Sequence, residues 1–191
     1  EFGAVKVQNG NIIDRYSAFV NPKVPIPLRV EQLTHIRDDM VINEPEIDVR
    51  LPEFLEFIEG CVLVAHNAEF DVSYVEENAR LLGLPFSYTY MDTMAMARMV
   101  LPLQKKFTLD AIAKSLKIPL ENHHRAVDDA ECTALVFIKL MSMISDLGAT
   151  TLDEINSKAK EDSTNAAKLH THHGIVIAKN DLGRVNLYRL I

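Results

Sequence analysis

Apolar and polar residues alternate from Gly3 to Val7, the turn-forming run Gln8-Asn9-Gly10-Asn11 follows, and Ile12 to Val20 resumes extended character. Extended segments on either side of a tight turn predict a β-hairpin. The next stretch, Asn21-Pro22-Lys23-Val24-Pro25-Ile26-Pro27, cannot be a central strand because its prolines lack ladder donors, so it is expected as an extended surface connection. The period then changes. Ile47, Leu51, Leu55 and Ile58 recur at helical spacing and predict a helix over 46–60. Cys61 to Ala65 reads as a short buried strand, and Asp71 to Leu82 as a helix that Gly83 ends.

Tyr88 to Met91 is strand-like and leads into Asp92-Thr93, a good helix cap for a segment running through Met99. A Thr108 cap opens another helix to about Leu116, with Leu109, Ile112 and Leu116 on one face. A long helix is expected over 126–147, its core face carrying Ala130, Ala134, Phe137, Met141 and Ile144. Strands first, then strand–helix alternation, predict an α/β domain over 1–147, with a mixed sheet flanked by helices. Residues 148–168 turn polar and read as a linker. Gly174-Ile175-Val176-Ile177-Ala178 is strand-like and Val185 to Ile191 amphipathic, so 169–191 read as the βα start of a second domain.

Composition adds bounds rather than identity. At 191 residues, with 48% apolar and 25% charged positions, the chain suits a globular protein with one sizeable core. No apolar run approaches a membrane span, no basic-then-apolar leader opens the chain, and no membrane partner is expected. Cys61 and Cys132 lie in apolar contexts without metal-ligand spacing, as buried thiols of a reducing, cytoplasmic protein would. The chain does not open with Met, which suggests a fragment. The net charge of −7 weighs against a binder with a basic face, but not against an enzyme that meets phosphates through bound cations held by its own acids.

Two segments carry candidate chemistry. Leu63-Val64-Ala65-His66-Asn67-Ala68-Glu69-Phe70-Asp71 ends an apolar run in polar residues and an acid that opens a helix. His124-Arg125-Ala126-Val127-Asp128-Asp129 puts a histidine five positions before an acid at another helix start. Two carboxylates and an imidazole at the mouths of regular elements are what metal-assisted hydrolysis uses: carboxylates hold hard divalent cations, and imidazole takes a proton from water near neutral pH. An acid in a first helical turn is more commonly a plain partner for the helix dipole. Helical geometry sets Asp71 above that reading by aligning it with Tyr74, Val75, Asn78 and Leu82, a side expected to face the fold. In the same way Asp129 aligns with Thr133, Val136, Leu140 and Met143 and is expected inward, whereas Asp128 leads to Cys132, Leu135, Lys139 and Ser142, a face expected to end in solvent. His66 and Asn67 follow a strand, where parallel-type sheets place ligand-binding residues. Asp92 is expected as a cap, and His123 as an exposed neighbour. The cluster His170-Thr171-His172-His173 has metal-binding composition, but a strand follows at once and no acid supports it, so the plain reading is preferred.

Taken together, Ala65-His66-Asn67-Ala68-Glu69-Phe70-Asp71 and His124-Arg125-Ala126-Val127-Asp128-Asp129-Ala130 resemble the second and third motifs of the DnaQ-like, DEDDh-type 3′–5′ exonucleases. Phe107-Thr108-Leu109-Asp110-Ala111-Ile112-Ala113 resembles the helix that precedes the third motif. The resemblance covers about residues 1–147 and implies a ribonuclease-H-like fold that removes nucleotides from a DNA or RNA 3′ end. It also implies two divalent cations, Mg2+ or Mn2+. By position, Asp71 and Asp129 would be metal ligands and His124 the general base, with His66, Asn67 and Phe70 lining the substrate groove.

The family's first motif, an Asp-x-Glu on the first strand, would precede Glu1 and is not in this chain. The site is therefore expected to be incomplete, the sheet to lack its first strand, and the chain alone to be weak or inactive. His173 to Tyr188 resembles the stretch where the PHP domain resumes in the PolC-type family of bacterial DNA polymerase III alpha subunits. This implies a proofreading exonuclease acting on a single-stranded or frayed DNA primer 3′ end. Its partners would be the remainder of the polymerase chain and replisome subunits. The alternatives are a free-standing exonuclease of the same chemistry and a non-catalytic nucleic-acid-binding or scaffold piece.

Overall fold

A computed structural model describes residues 1–119 and 125–146. The hairpin is present: β1 (Phe2–Gln8) pairs antiparallel with β2 (Asn11–Ala18). Gln8 and Asn11 close a two-residue loop in which Asn9 and Gly10 both take positive φ, 51° and 77°, the conformation that makes Asn-Gly the preferred tight hairpin turn. The proline-rich connection follows outside any strand, as expected. It then leads into two short helices that the periodicity did not reveal, α1 (Leu28–Thr34) and α2 (Asp38–Val41). The first buries no residue, and its apolar Leu28, Val30 and Leu33 are all exposed.

The remaining elements follow the expected order with shifted ends. They are α3 (Ile47–Phe57), β3 (Leu63–Ala65), α4 (Ala68–Leu82), β4 (Tyr90–Asp92), α5 (Thr93–Val100), α6 (Leu109–Ser115) and α7 (Ala126–Asp146). Gly83 ends α4 in the left-handed region, and the Leu84 amide reaches back 2.8 Å to the Ala79 carbonyl, the bond pattern that caps a helix with glycine. Burial corrects the face expected for α4. Ala68 and Ala79 are the buried positions, while Tyr74 is 70% exposed and Leu82 38% exposed.

Two apolar clusters hold the fold. Leu51, Phe54 and Ile58 of the α3 region pack with Ala79 of α4 and with Phe2 and Tyr16 of the hairpin. Met96 and Ala97 of α5, Ile112 and Ala113 of α6, and Cys132, Val136, Leu140 and Ile144 of α7 form the other. Each fully buried Leu or Ile side chain contributes about 1.5–3 kcal/mol from burial. Helix α7 also lies along β1. It lies so close that a Cβ built on Gly3 would stand 2.1 Å from the Ala126 carbonyl carbon, so only glycine fits there.

Among the described residues the strands form two pairs rather than one continuous sheet, β1 with β2 and β3 parallel to β4. A cavity of about 1430 Å3 separates them. It is bordered by every residue from Glu1 to Gln8 and every residue from Gly60 to His66. Because side chains alternate faces along a strand, an unbroken run of bordering residues means that strand edges, not strand faces, meet this space.

Candidate active site

Asp71 and Asp129 both border this cavity, one from the first turn of α4 and one from the first turn of α7. Asp128, half-buried, is not among the bordering residues. The buried run below Asp129 includes Thr133, Val136 and Leu140, as the helical steps predicted. The Asp71 side chain opens to solvent at the rim. Its surroundings still withhold enough water that burial raises its carboxyl above the ordinary range. Its own helix-start amide opposes that rise, the negative charge of Asp92 reinforces it, and His66 opposes it. On the other wall, burial and then the charge of Asp129 push the Cys132 thiol up to about 11, so this cysteine is a neutral core residue at physiological pH.

The two helix starts are built differently. At α4, Asn67 stands in the left-handed region, φ 66° and ψ 53°, with no side-chain cap. Its amide instead donates to Asp92 Oδ1 at 3.0 Å. The same oxygen accepts the Met94 amide at 2.8 Å, so Asp92 caps α5 as expected and also ties the α4 entry to β4. His66, half-buried, places Nε2 2.8 Å from the Phe107 carbonyl and Nδ1 2.9 Å from the Thr93 hydroxyl. A carbonyl only accepts, so Nε2 carries a proton. Both ring nitrogens are therefore engaged with protein, and the ring joins the end of β3, the start of α5 and the segment before α6. Phe70 is 66% exposed, and its ring lies 6.4 Å from that of Tyr74 one turn along, giving an outward aromatic pair beside Asp71.

At α7 the helix is anchored from outside itself. The Arg125 carbonyl accepts the amides of Asp128 and Asp129, both at 3.0 Å, which makes Arg125 the cap residue. Its guanidinium donates through Nε and a terminal nitrogen to Glu1 Oε1 at 3.1 and 2.9 Å. Glu1 Oε2 takes the Ala126 amide at 3.2 Å. Sequence reasoning assigns no site role to Glu1, Arg125 or the fully buried Thr93. An ion pair spanning positions 1 and 125 leaves no local pattern, and Thr93 is legible only as part of a cap.

His124 lies outside the described residues, as do His123, the His170–His173 cluster, the expected linker over 148–168 and the expected second-domain start over 169–191. Among the described residues no three carboxylate, imidazole or thiol groups converge to hold a metal. Asp71 and Asp129 suit a hard divalent cation in kind, as oxygen donors on one cavity, but fall short in number. No helix among the described residues is long and apolar enough to cross a membrane.

Helices thus flank the strand pairs, and acids at two helix starts border one cavity. The chain belongs to the exonuclease family, whose model matches residues 1–137. It is 41% identical over its whole length to the PolC-type DNA polymerase III of Caldanaerobacter subterraneus subsp. tengcongensis, spanning 14% of that protein. Among solved structures it resembles exonuclease X in complex with 5′ overhanging duplex DNA, at TM-score 0.63 and 26% identity over 82% of this chain and 88% of that one. It also shares its fold with the nuclease domain of 3′hExo, a DEDDh family member bound to rAMP, at TM-score 0.58 and 17% identity over 71% and 74% of the two chains. The fold is that of the DEDDh exonucleases, a ribonuclease-H-like α/β arrangement, and the family implies dependence on divalent metal.

Proposed function

We propose that this chain is the proofreading 3′–5′ exonuclease part of a PolC-type bacterial replicative polymerase, acting in the cytoplasm on a single-stranded or frayed DNA primer end. The observation that carries the reading is that Asp71 and Asp129 border one cavity within an exonuclease fold. Polymerase kinship rather than a free-standing enzyme is supported by the alignment running through all 191 residues, including those beyond the exonuclease match at 137. That extent also supports reading 148–168 as a linker and 169–191 as a resumed PHP-like segment.

In this reading Asp71 and Asp129 are ligands of two divalent cations, Mg2+ or Mn2+. When bound, such cations supply an activated water and offset charge at the scissile phosphate. His124 takes the proton from the attacking water, a task suited to imidazole near neutral pH. Phe70 offers an exposed ring face on which a terminal base can stack. Asn67 and His66 shape the groove wall, His66 by holding β3, α5 and the Phe107 segment together. The remaining carboxylates would come from a strand of the longer protein. The cavity runs between the edges of β1 and β3, where an intervening strand would pair with both. The isolated 191-residue chain is accordingly expected to be inactive.

The test uses the full-length protein that contains this chain, with a 5′-labelled primer. Expected is stepwise shortening from the 3′ end with Mg2+ or Mn2+, faster at a mismatched terminus, and lost with chelator or with Asp71→Ala. Intact primer after incubation with wild-type protein and metal would refute the reading. Robust degradation by the 191-residue chain alone would refute the need for carboxylates from elsewhere in the longer protein.

A further inference from the structure

Glu1 is a strand-start acid whose side chain is only 4% exposed, although its partner Arg125 is 42% exposed. A carboxylate so far from water needs its charge answered, and here three donors answer it: two from Arg125 and the Ala126 amide. The arrangement is braced on each side. The Arg125 guanidinium lies over the Phe19 ring, 5.1 Å from its centroid. The Phe19 carbonyl is itself held by Arg50 Nε at 3.1 Å, and Arg50 is fixed by Glu44 and Glu53 at 2.9 Å each. Gly3, two residues along from Glu1, lets the α7 backbone rest directly on β1.

We infer that Glu1 and Arg125 are positioning residues, a clamp that sets the rotation of the first α7 turn and thereby aims Asp129 into the cavity. The clamp acts on the cap residue, whose carbonyl starts the helix by taking the Asp128 and Asp129 amides. Fixing that residue fixes the phase of the helix, and Asp129 lies one turn further on. Free rotation there would swing Asp129 toward the direction now occupied by Asp128. Both act through the start of α7. The inference rests on the exonuclease reading for its catalytic consequence, but the geometry of the clamp does not depend on it.

The experiment is a double-mutant cycle in the full-length protein, reading kcat, KM for a single-stranded oligonucleotide and the Mn2+ midpoint. Glu1→Gln preserves shape but cannot accept from both Arg125 and Ala126. It should lower kcat by about 10–100-fold, the scale of an ångström-sized misplacement of a reacting group, with KM nearly unchanged. It should also raise the Mn2+ midpoint by about tenfold, the scale for losing outer support of a metal ligand. Adding Arg125→Ala should lower kcat little further because the pair acts as a unit, and Arg125→Lys alone should fall between wild type and Arg125→Ala. Additive losses, or a lower melting temperature with kcat and Mn2+ midpoint unchanged, would overturn the inference. Wild-type protein that leaves 3′ ends intact would instead overturn the exonuclease reading. In that case amide exchange over Ala126–Asp129 still decides the clamp: faster exchange in Glu1→Gln supports it, and unchanged exchange overturns it.

Discussion

The starts of α4 and α7 share a signature, an acid in the first turn facing one cavity, yet they are held in opposite ways. The α4 entry is open: Asn67 sits in a left-handed conformation without a side-chain cap, and Phe70 and Tyr74 stand in solvent. Asp71 there feels Asp92 as a like charge. The α7 entry is closed around a buried carboxylate and rests on bare backbone at Gly3. One entry is thus tied down by a buried ion pair, and the other is left open to solvent.

The largest expected effects remove the candidate chemical groups themselves. In the full-length protein Asp129→Asn should abolish 3′ hydrolysis, while His124→Ala should lower turnover by about two to four decades with metal binding nearly intact, the scale for losing a general base. Equal loss of metal affinity in both variants, by Mn2+ titration, would make His124 a ligand. Stability separates the walls next. Arg125→Ala strands the Glu1 carboxylate and should cost about 2–3 kcal/mol in denaturant melts, reduced from a fully buried pair because the guanidinium is half open to water. Asp71→Ala, on the open wall, should show no such loss.

A smaller effect has the opposite sign. The folded state raises the Asp71 carboxyl, so its contribution to stability is fully present below the ordinary carboxylate value and is lost as pH rises through the folded-state value. At neutral pH and without metal the charge therefore opposes folding. Asp71→Asn should melt higher than wild type in chelator at pH 7, with the gap closing as pH falls into the carboxylate range. A gap that widens on acidification would contradict the sign. Smallest of all, Asp128→Asn should lose only about 0.3–1 kcal/mol as a helix-start charge and keep its 3′ hydrolysis, as melts and primer shortening would show.

What the sequence made legible follows from how each element is stabilised. The Asn9-Gly10 turn, the Gly83 stop and the Asp92 cap are local chemistry, and each stands where the pattern put it. The side of α7 facing the core was readable because Thr133, Val136 and Leu140 are buried at helical steps. Helix α1 packs none of its residues into the core, so no core stripe marks it, and the buried positions of α4 are two small residues, Ala68 and Ala79, that a stripe of larger side chains does not reveal. The paired helix-start acids were found by their motifs. The clamp was not, since Glu1 and Arg125 meet only through the fold.

That meeting has a kinetic consequence. The contacts of Glu1 and Gly3 with the start of α7 join positions more than 120 residues apart. Closing so long a loop is entropically slow to be repaid, and such contacts delay folding relative to local ones. During synthesis the hairpin leaves the ribosome early, while Arg125 is still unmade, so Glu1 waits in water with its charge unanswered. The hairpin and the α3–α4 layer can form first. The wall that aims Asp129 is completed only when the far end of the domain arrives, which makes competence of the site one of the last things the folding chain acquires.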